Sequence, residues 1–122
     1  MININLFAGP GVGKSTVAAG LFYQLKKYGC DVEYIQEYAK DLVYGKDYTR
    51  LSDQLHIVAE QHHRMHRIGS SVDYLIHDSP FILGLAYLQE SEHLHREKFA
   101  NLVIDMFKSY TSLNIFLERS DD

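Results

Sequence analysis

At 122 residues, 46% hydrophobic and 23% charged, the chain is sized for one cored domain, 1–122, and is too apolar for a disordered tail. A formal net charge of −4 argues against a nucleic-acid-coating surface, so nucleic acid is not an expected partner. No apolar run approaches the ~18 residues of a membrane span, the opening MININLF has no basic leader region, and the single Cys30 has no internal disulfide partner; no membrane contact and a reducing, cytoplasmic setting are expected.

In chain order, the short apolar run Ile2 to Phe7 reads as a first strand. Val17, Leu21, Leu25 and Tyr28 fall on one helical face, which predicts a helix from Lys14 to Tyr28, stopped by Gly29. Cys30, just beyond it, reads as a small apolar residue rather than a nucleophile. DVEYIQ, residues 31–36, alternates and is rich in β-formers, predicting a second strand. Leu51, Leu55, Val58, His62 and Met65 recur at three or four, predicting one long helix that ends near Gly69. VDYLIH, residues 72–77, predicts a third strand. Pro80 suits a first helical turn, with Ser79 as its cap. A further helix is expected from Glu92 to Tyr110 with Phe99, Leu102, Met106 and Tyr110 inward, and LNIFL, residues 113–117, predicts a fourth strand. Strands that alternate with helices imply an α/β fold of three layers, a parallel sheet covered on both faces.

The stretch AGPGVGKST, residues 8–16, lies between the first strand and the first helix. It reads A-x-x-x-x-G-K-S, one residue away from the phosphate-binding loop G-x-x-x-x-G-K-[ST], with Ala8 in place of the first glycine. Gly9, Gly11 and Gly13, with Pro10 and Val12 between them, let successive backbone N–H groups turn inward without Cβ clashes. Those donors and the helix N-terminus at Lys14, Ser15 and Thr16 suit the β- and γ-phosphates of ATP or another purine triphosphate. Lys14 adds a point charge to the same oxygens, and the Ser15 hydroxyl is placed to ligate Mg²⁺. A bare glycine turn would need no Lys-Ser pair after its last glycine.

Asp78 ends the third strand, where an acid can hold Mg²⁺ directly or through water; a helix-capping role is compatible with that. Ser79 and Pro80 follow it, without the water-polarising Glu usual in ATPase motors, and the guanine-reading N-K-x-D is absent from the sequence. Phosphoryl transfer to a small acceptor is the reading that remains. His62, His63 and His66 are read as structural or solvated: His62 and His66 have a spacing that zinc can use, but no H-E-x-x-H occurs. His93 and His95 are read the same way, and His77 is expected to point to the opposite side of the sheet from Asp78.

With AGPGVGKST, QEYAKDL (36–42), EQHHR (60–64) and IHDSP (76–80) in this order, the chain resembles the nucleoside and nucleotide kinases of the P-loop group, nearest to the small phage and bacterial kinases related to ribosylnicotinamide and deoxynucleoside kinases. The resemblance implies strand order 2-3-1-4. It implies that Glu37 accepts or orients the proton of the attacking hydroxyl. It implies that Gln61 reads a base edge and that Arg64 holds an acceptor phosphate or the transferring group. Each of these also has a plainer reading as a first-turn acid or a solvated helix residue. Tyr38 and Tyr44 are the tyrosines placed for acceptor stacking. Members of this group continue past strand four into an Arg-bearing lid, a helix and usually a fifth strand; here the sequence stops at ERSDD, 118–122, so a C-terminally incomplete domain is expected, with Arg119 a candidate for the first lid arginine. The implied activity moves the γ-phosphoryl of Mg-ATP to a nucleoside, nucleotide or related ribosyl acceptor, and a homodimer is compatible with it. The other class left open is a nucleotide sensor or hydrolase without a small acceptor.

Overall fold

The computed structural model describes residues 1–9, 11–88 and 96–119. Pro10 therefore lies outside the described residues, as do Glu92, His93 and His95 at the expected start of the last helix. Four strands, β1 (Ile2–Phe7), β2 (Val32–Ile35), β3 (Tyr74–His77) and β4 (Ser112–Phe116), form one sheet in the order β2-β3-β1-β4, as the resemblance implied. Every pairing is parallel, with Asn5 opposite both His77 and Asn114.

Strand alternation sorts the core into two layers. Ile4, Leu6, Val32 and Ile76 face α1 (Lys14–Lys27) and bury its Ala18. On the other side, Ile35 and Leu75 meet Val58 and Met65 of α4 (Gln54–His66), Phe81 and Val103. Phe81 opens a 3₁₀ helix, Phe81–Tyr87, and Val103 belongs to α5 (Arg96–Lys108). The same face of the sheet also carries polar residues. Asn5 Nδ2 donates to Asn114 Oδ1 at 3.0 Å, and the buried His77 ring lies on the side away from α1, with Nε2 2.9 Å from Asn3 Oδ1. An amide oxygen only accepts, so His77 Nε2–H is the donor.

Several elements depart from their expected form. The helix expected to run on from Leu51 is two: α3 (Tyr48–Leu51) ends at Ser52, and α4 starts afresh with Asp53, whose carboxylate accepts from His56 N–H at 3.2 Å. Such an N-cap is worth ~1 kcal/mol, enough to favour a new start over a continuous turn. A short helix, α2 (Tyr38–Tyr44), precedes them with Glu37 at its N-cap. Ser79 does not cap the segment after β3: the N-cap position is Pro80, no side chain bonds there, and the helix is 3₁₀. Leu21, Leu25, Val58, Met65, Phe99, Met106 and Tyr110 pack inward as expected, but four positions expected to share those faces do not. Val17, Tyr28, Leu55 and Leu102 are exposed, while Ala18, Gln61 and Val103 carry the contacts.

Candidate active site

The carboxyl ends of β1, β2 and β3 open on one crevice, the usual place for ligands in a parallel sheet. Each strand delivers one part. After β1, the loop turns through left-handed Gly11 (φ 76°) and Gly13 (φ 91°), conformations that a Cβ would strain. Gly13 is the N-cap of α1 and makes no side-chain cap bond, so the first amides of α1 remain to be satisfied by a ligand or water. This loop lines a cavity of about 410 Å³ with Gly9, Val12, Lys14, Ser15, Thr16, Glu37, Lys40 and Asp78 also on its walls.

After β3 comes Asp78, only 3% exposed. Its Oδ2 accepts from Tyr34 OH at 2.7 Å and from Ser15 Oγ at 3.3 Å. Its Oδ1 is buried with no hydrogen-bond partner among the described residues. A buried carboxylate oxygen without a donor is costly, and Asp78 and Ser15 both line the loop cavity. The pair therefore fits a magnesium ion, held by the Ser15 hydroxyl and by Asp78 directly or through water. Tyr34, on β2, is held above the ordinary tyrosine range, first by burial and then by the hydrogen bond and charge of Asp78. Its phenol therefore stays protonated and serves Asp78 as a donor. Sequence patterning gave no sign of this pairing, because 44 positions separate the two residues.

After β2 comes Glu37, which lines the loop cavity and also a second cavity of about 410 Å³. The second cavity is mostly apolar, walled by Leu51, Ile57, Val58, Pro80, Phe81 and Leu83, with Gln54, Gln61 and Ser79 as polar members. Gln61 is only 5% exposed, and both ends of its amide are engaged by backbone on either side of Glu37. Nε2 donates to Gln36 O at 3.1 Å and Oε1 accepts from Tyr38 N–H at 2.9 Å. In place of the expected base reading, this geometry makes Gln61 a clamp on the segment that carries Glu37. Arg64 lines neither cavity. Its guanidinium donates to Asp41 Oδ2 at 3.0 Å and sits over the Tyr38 ring, 4.8 Å from the centroid, so it braces α2 against α4 rather than meeting an acceptor. Tyr38 and Tyr44 are likewise absent from both cavity walls. Of the histidines of α4, His62 packs edge-on against Phe81 with Nε2 2.9 Å from Tyr110 OH, while His63 and His66 are exposed. No group of three or more metal-ligating side chains occurs among the described residues.

No protein-family model matches this chain. No curated protein matches it in sequence either. Solved structures do match. A deoxyadenosine kinase from M. mycoides with bound dATP superposes with a TM-score of 0.59 at 20% identity, over 97% of this chain and 65% of that one. The same enzyme with dCMP and a flexible dCDP bound gives a TM-score of 0.56 at 20% identity, with the same coverage. An APS kinase variant from Mycobacterium tuberculosis gives 0.52 at 14% identity, over 98% of this chain and 80% of that one. The chain thus spans 65% of the length of the deoxyadenosine kinase. Its fold is that of the P-loop nucleoside and nucleotide kinases. No helix among the described residues is long and apolar enough to cross a membrane.

Proposed function

We propose that this chain transfers the γ-phosphoryl group of Mg-ATP to a hydroxyl of a nucleoside, nucleotide or related ribosyl acceptor. The observation that carries the reading is the position of Glu37. It stands on the wall of the P-loop cavity and on the wall of a second, largely apolar cavity of comparable size. Hydrolysis of a triphosphate requires only the first chamber. A group transfer requires two, with a base at their junction.

In this reading the triphosphate lies along the loop amides and the start of α1, with Lys14 on its β,γ-oxygens. Magnesium, when bound at Ser15 and Asp78, neutralises charge on those oxygens. The acceptor fills the apolar cavity with its hydroxyl toward Glu37. That hydroxyl gives its proton to Glu37 as its oxygen bonds to the γ-phosphorus, and the bridging bond to the β-phosphate breaks. Gln61 keeps Glu37 in reach by holding the backbone before and after it. The likeness to a deoxyadenosine kinase supports a nucleoside-type acceptor at the level of the fold.

The test is ADP release from ATP and Mg²⁺ with and without a panel of nucleosides, ribosyl compounds and nucleoside monophosphates, with the phosphorylated product identified. Acceptor-dependent release supports transfer. Release that is equal with and without every acceptor overturns it in favour of a plain hydrolase, and absence of both release and product overturns it in favour of a sensor.

A further inference from the structure

Lys40 has no part in the chemistry assigned so far, yet it reaches the centre of the site. It extends from the first turn of α2 across the crevice and donates from Nζ to Ser15 Oγ at 2.7 Å. It is also one of the two lysines on the wall of the P-loop cavity, the other being Lys14. We propose that Lys40 is a second phosphate-binding lysine, which holds the terminal phosphoryl group of the triphosphate from the side opposite α1 and follows it through transfer. The proposal rests on the triphosphate reading above.

Three features of the contact argue for it. First, an ammonium carries three donors, and only the one aimed at Ser15 has a hydrogen-bond partner among the described residues. Second, Ser15 Oγ already gives its one proton to Asp78 Oδ2 and takes a bond from Lys40. A metal ion arriving on the same hydroxyl meets the Lys40 charge at close range, and like charges at ~4 Å repel strongly in a partly dry cleft. Lys40 must then leave Ser15. Third, the anion that arrives with the metal lies within the same cavity, and a four-carbon stem can swing an ammonium to it without moving the helix. In the absence of nucleotide, Lys40 thus stands where a cation is wanted beside Asp78. When nucleotide and metal bind, it exchanges one oxygen partner for others. It stabilises charge on the transferring group, while the hydroxyl proton goes to Glu37. Lys40 also sits three residues after Glu37, so one short helix would bring both base and cation to the reacting phosphorus.

The test compares ATP and ADP affinity, by calorimetry on the full chain in Mg²⁺ and again in EDTA, for the wild type, Lys40→Met and Lys40→Arg. Lys40 is exposed, and thermal unfolding of each variant checks that the fold is kept. A contact to the terminal phosphate predicts that Lys40→Met lowers ATP affinity about 10- to 100-fold, as for loss of a charged hydrogen bond, while ADP affinity changes little. Lys40→Arg should restore most of the ATP preference. In Lys40→Met, equal losses for ATP and ADP would reduce Lys40 to a tether for α2 and overturn the proposal; so would an unchanged ATP preference. A wild type that binds neither nucleotide would overturn the triphosphate reading itself, and the proposal with it.

Discussion

At the scale of single residues, the proposed transfer divides the site into groups that would bind phosphate and groups that would organise metal. Lys14 is a flexible point charge on the cavity wall, not a member of either core layer. Lys14→Ala should therefore leave the unfolding midpoint unchanged and weaken triphosphate binding by about 1.5–3 kcal/mol, the loss of one charge-assisted contact. Equilibrium binding with thermal unfolding on the same samples checks both halves. Asp78 stands differently: Tyr34 and Ser15 both donate to it, and in the proposed reaction the metal would rest on it as well. Asp78→Asn keeps the size and an acceptor for the Tyr34 hydroxyl, so the fold should persist. What it loses is the negative charge and the unpartnered Oδ1. The magnesium concentration needed for half-maximal turnover should rise by about tenfold or more, the loss of at least ~1.4 kcal/mol of metal affinity. An unaltered magnesium titration would leave Asp78 as a structural acceptor for Tyr34.

At the scale of elements, two helices that line the second cavity pack unusually close. Gly84 of the 3₁₀ helix lies so near α4 that a Cβ added there would run into Val58 Cγ2. Gly84→Ala should cost about 1–3 kcal/mol, as overpacking does, and the same clash should distort the cavity wall. Denaturant midpoints of Gly84→Ala, Val58→Ala and the pair would show it: the double variant should be more stable than the two single losses predict, since Val58→Ala makes room for the new methyl. The four strands and the phosphate loop were legible in the sequence because they rest on local signals, whereas the strand order came from the family resemblance. Glycines, Lys14 and Ser15 announce the loop, and alternation announces the strands. The buried faces of α1 and the last helix were read correctly at Leu21, Leu25, Phe99, Met106 and Tyr110, and missed at Val17, Tyr28 and Leu102. Bulky Val17 and Leu102 weigh more in a periodicity than Ala18 and Val103, yet the smaller Ala18 lets α1 approach the sheet. The break at Ser52-Asp53 was written in a capping residue that the apolar spacing overrode. Tyr34, Lys40 and the clamp of Gln61 were not legible, because each acts across 23 or more positions on a partner that only the fold supplies.

At the scale of the molecule, a titratable ring lies inside the sheet layer. Burial pushes His77 down to about 4, from an ordinary value of 6.5. Its folded value is the lower one, so the unfolded chain takes the proton first as pH falls. Full stability is present above pH ~6.5 and is lost between there and pH ~4, at about 1.4 kcal/mol per pH unit, or on the order of 3 kcal/mol in all. His62, lowered by burial and then by His66 and His63, pulls in the same direction. Urea midpoints at pH 7.5 and pH 5 should differ accordingly, and His77→Gln should flatten the difference. The arrangement of the two cavities has a kinetic corollary. If Glu37 is the base of the proposed transfer, its place on the walls of both cavities exposes it to whatever occupies the second chamber. When that is solvent, Glu37 would face a water molecule, and slow idle consumption of triphosphate would follow from the proposed transfer rather than from a separate activity. An acceptor mimic that fills the chamber but lacks the hydroxyl should then act as a stopper: it should slow this futile turnover below the rate seen with nothing added, where an ordinary acceptor speeds ADP release. A mimic that binds the chamber and leaves the idle rate untouched would mean that the water is activated elsewhere.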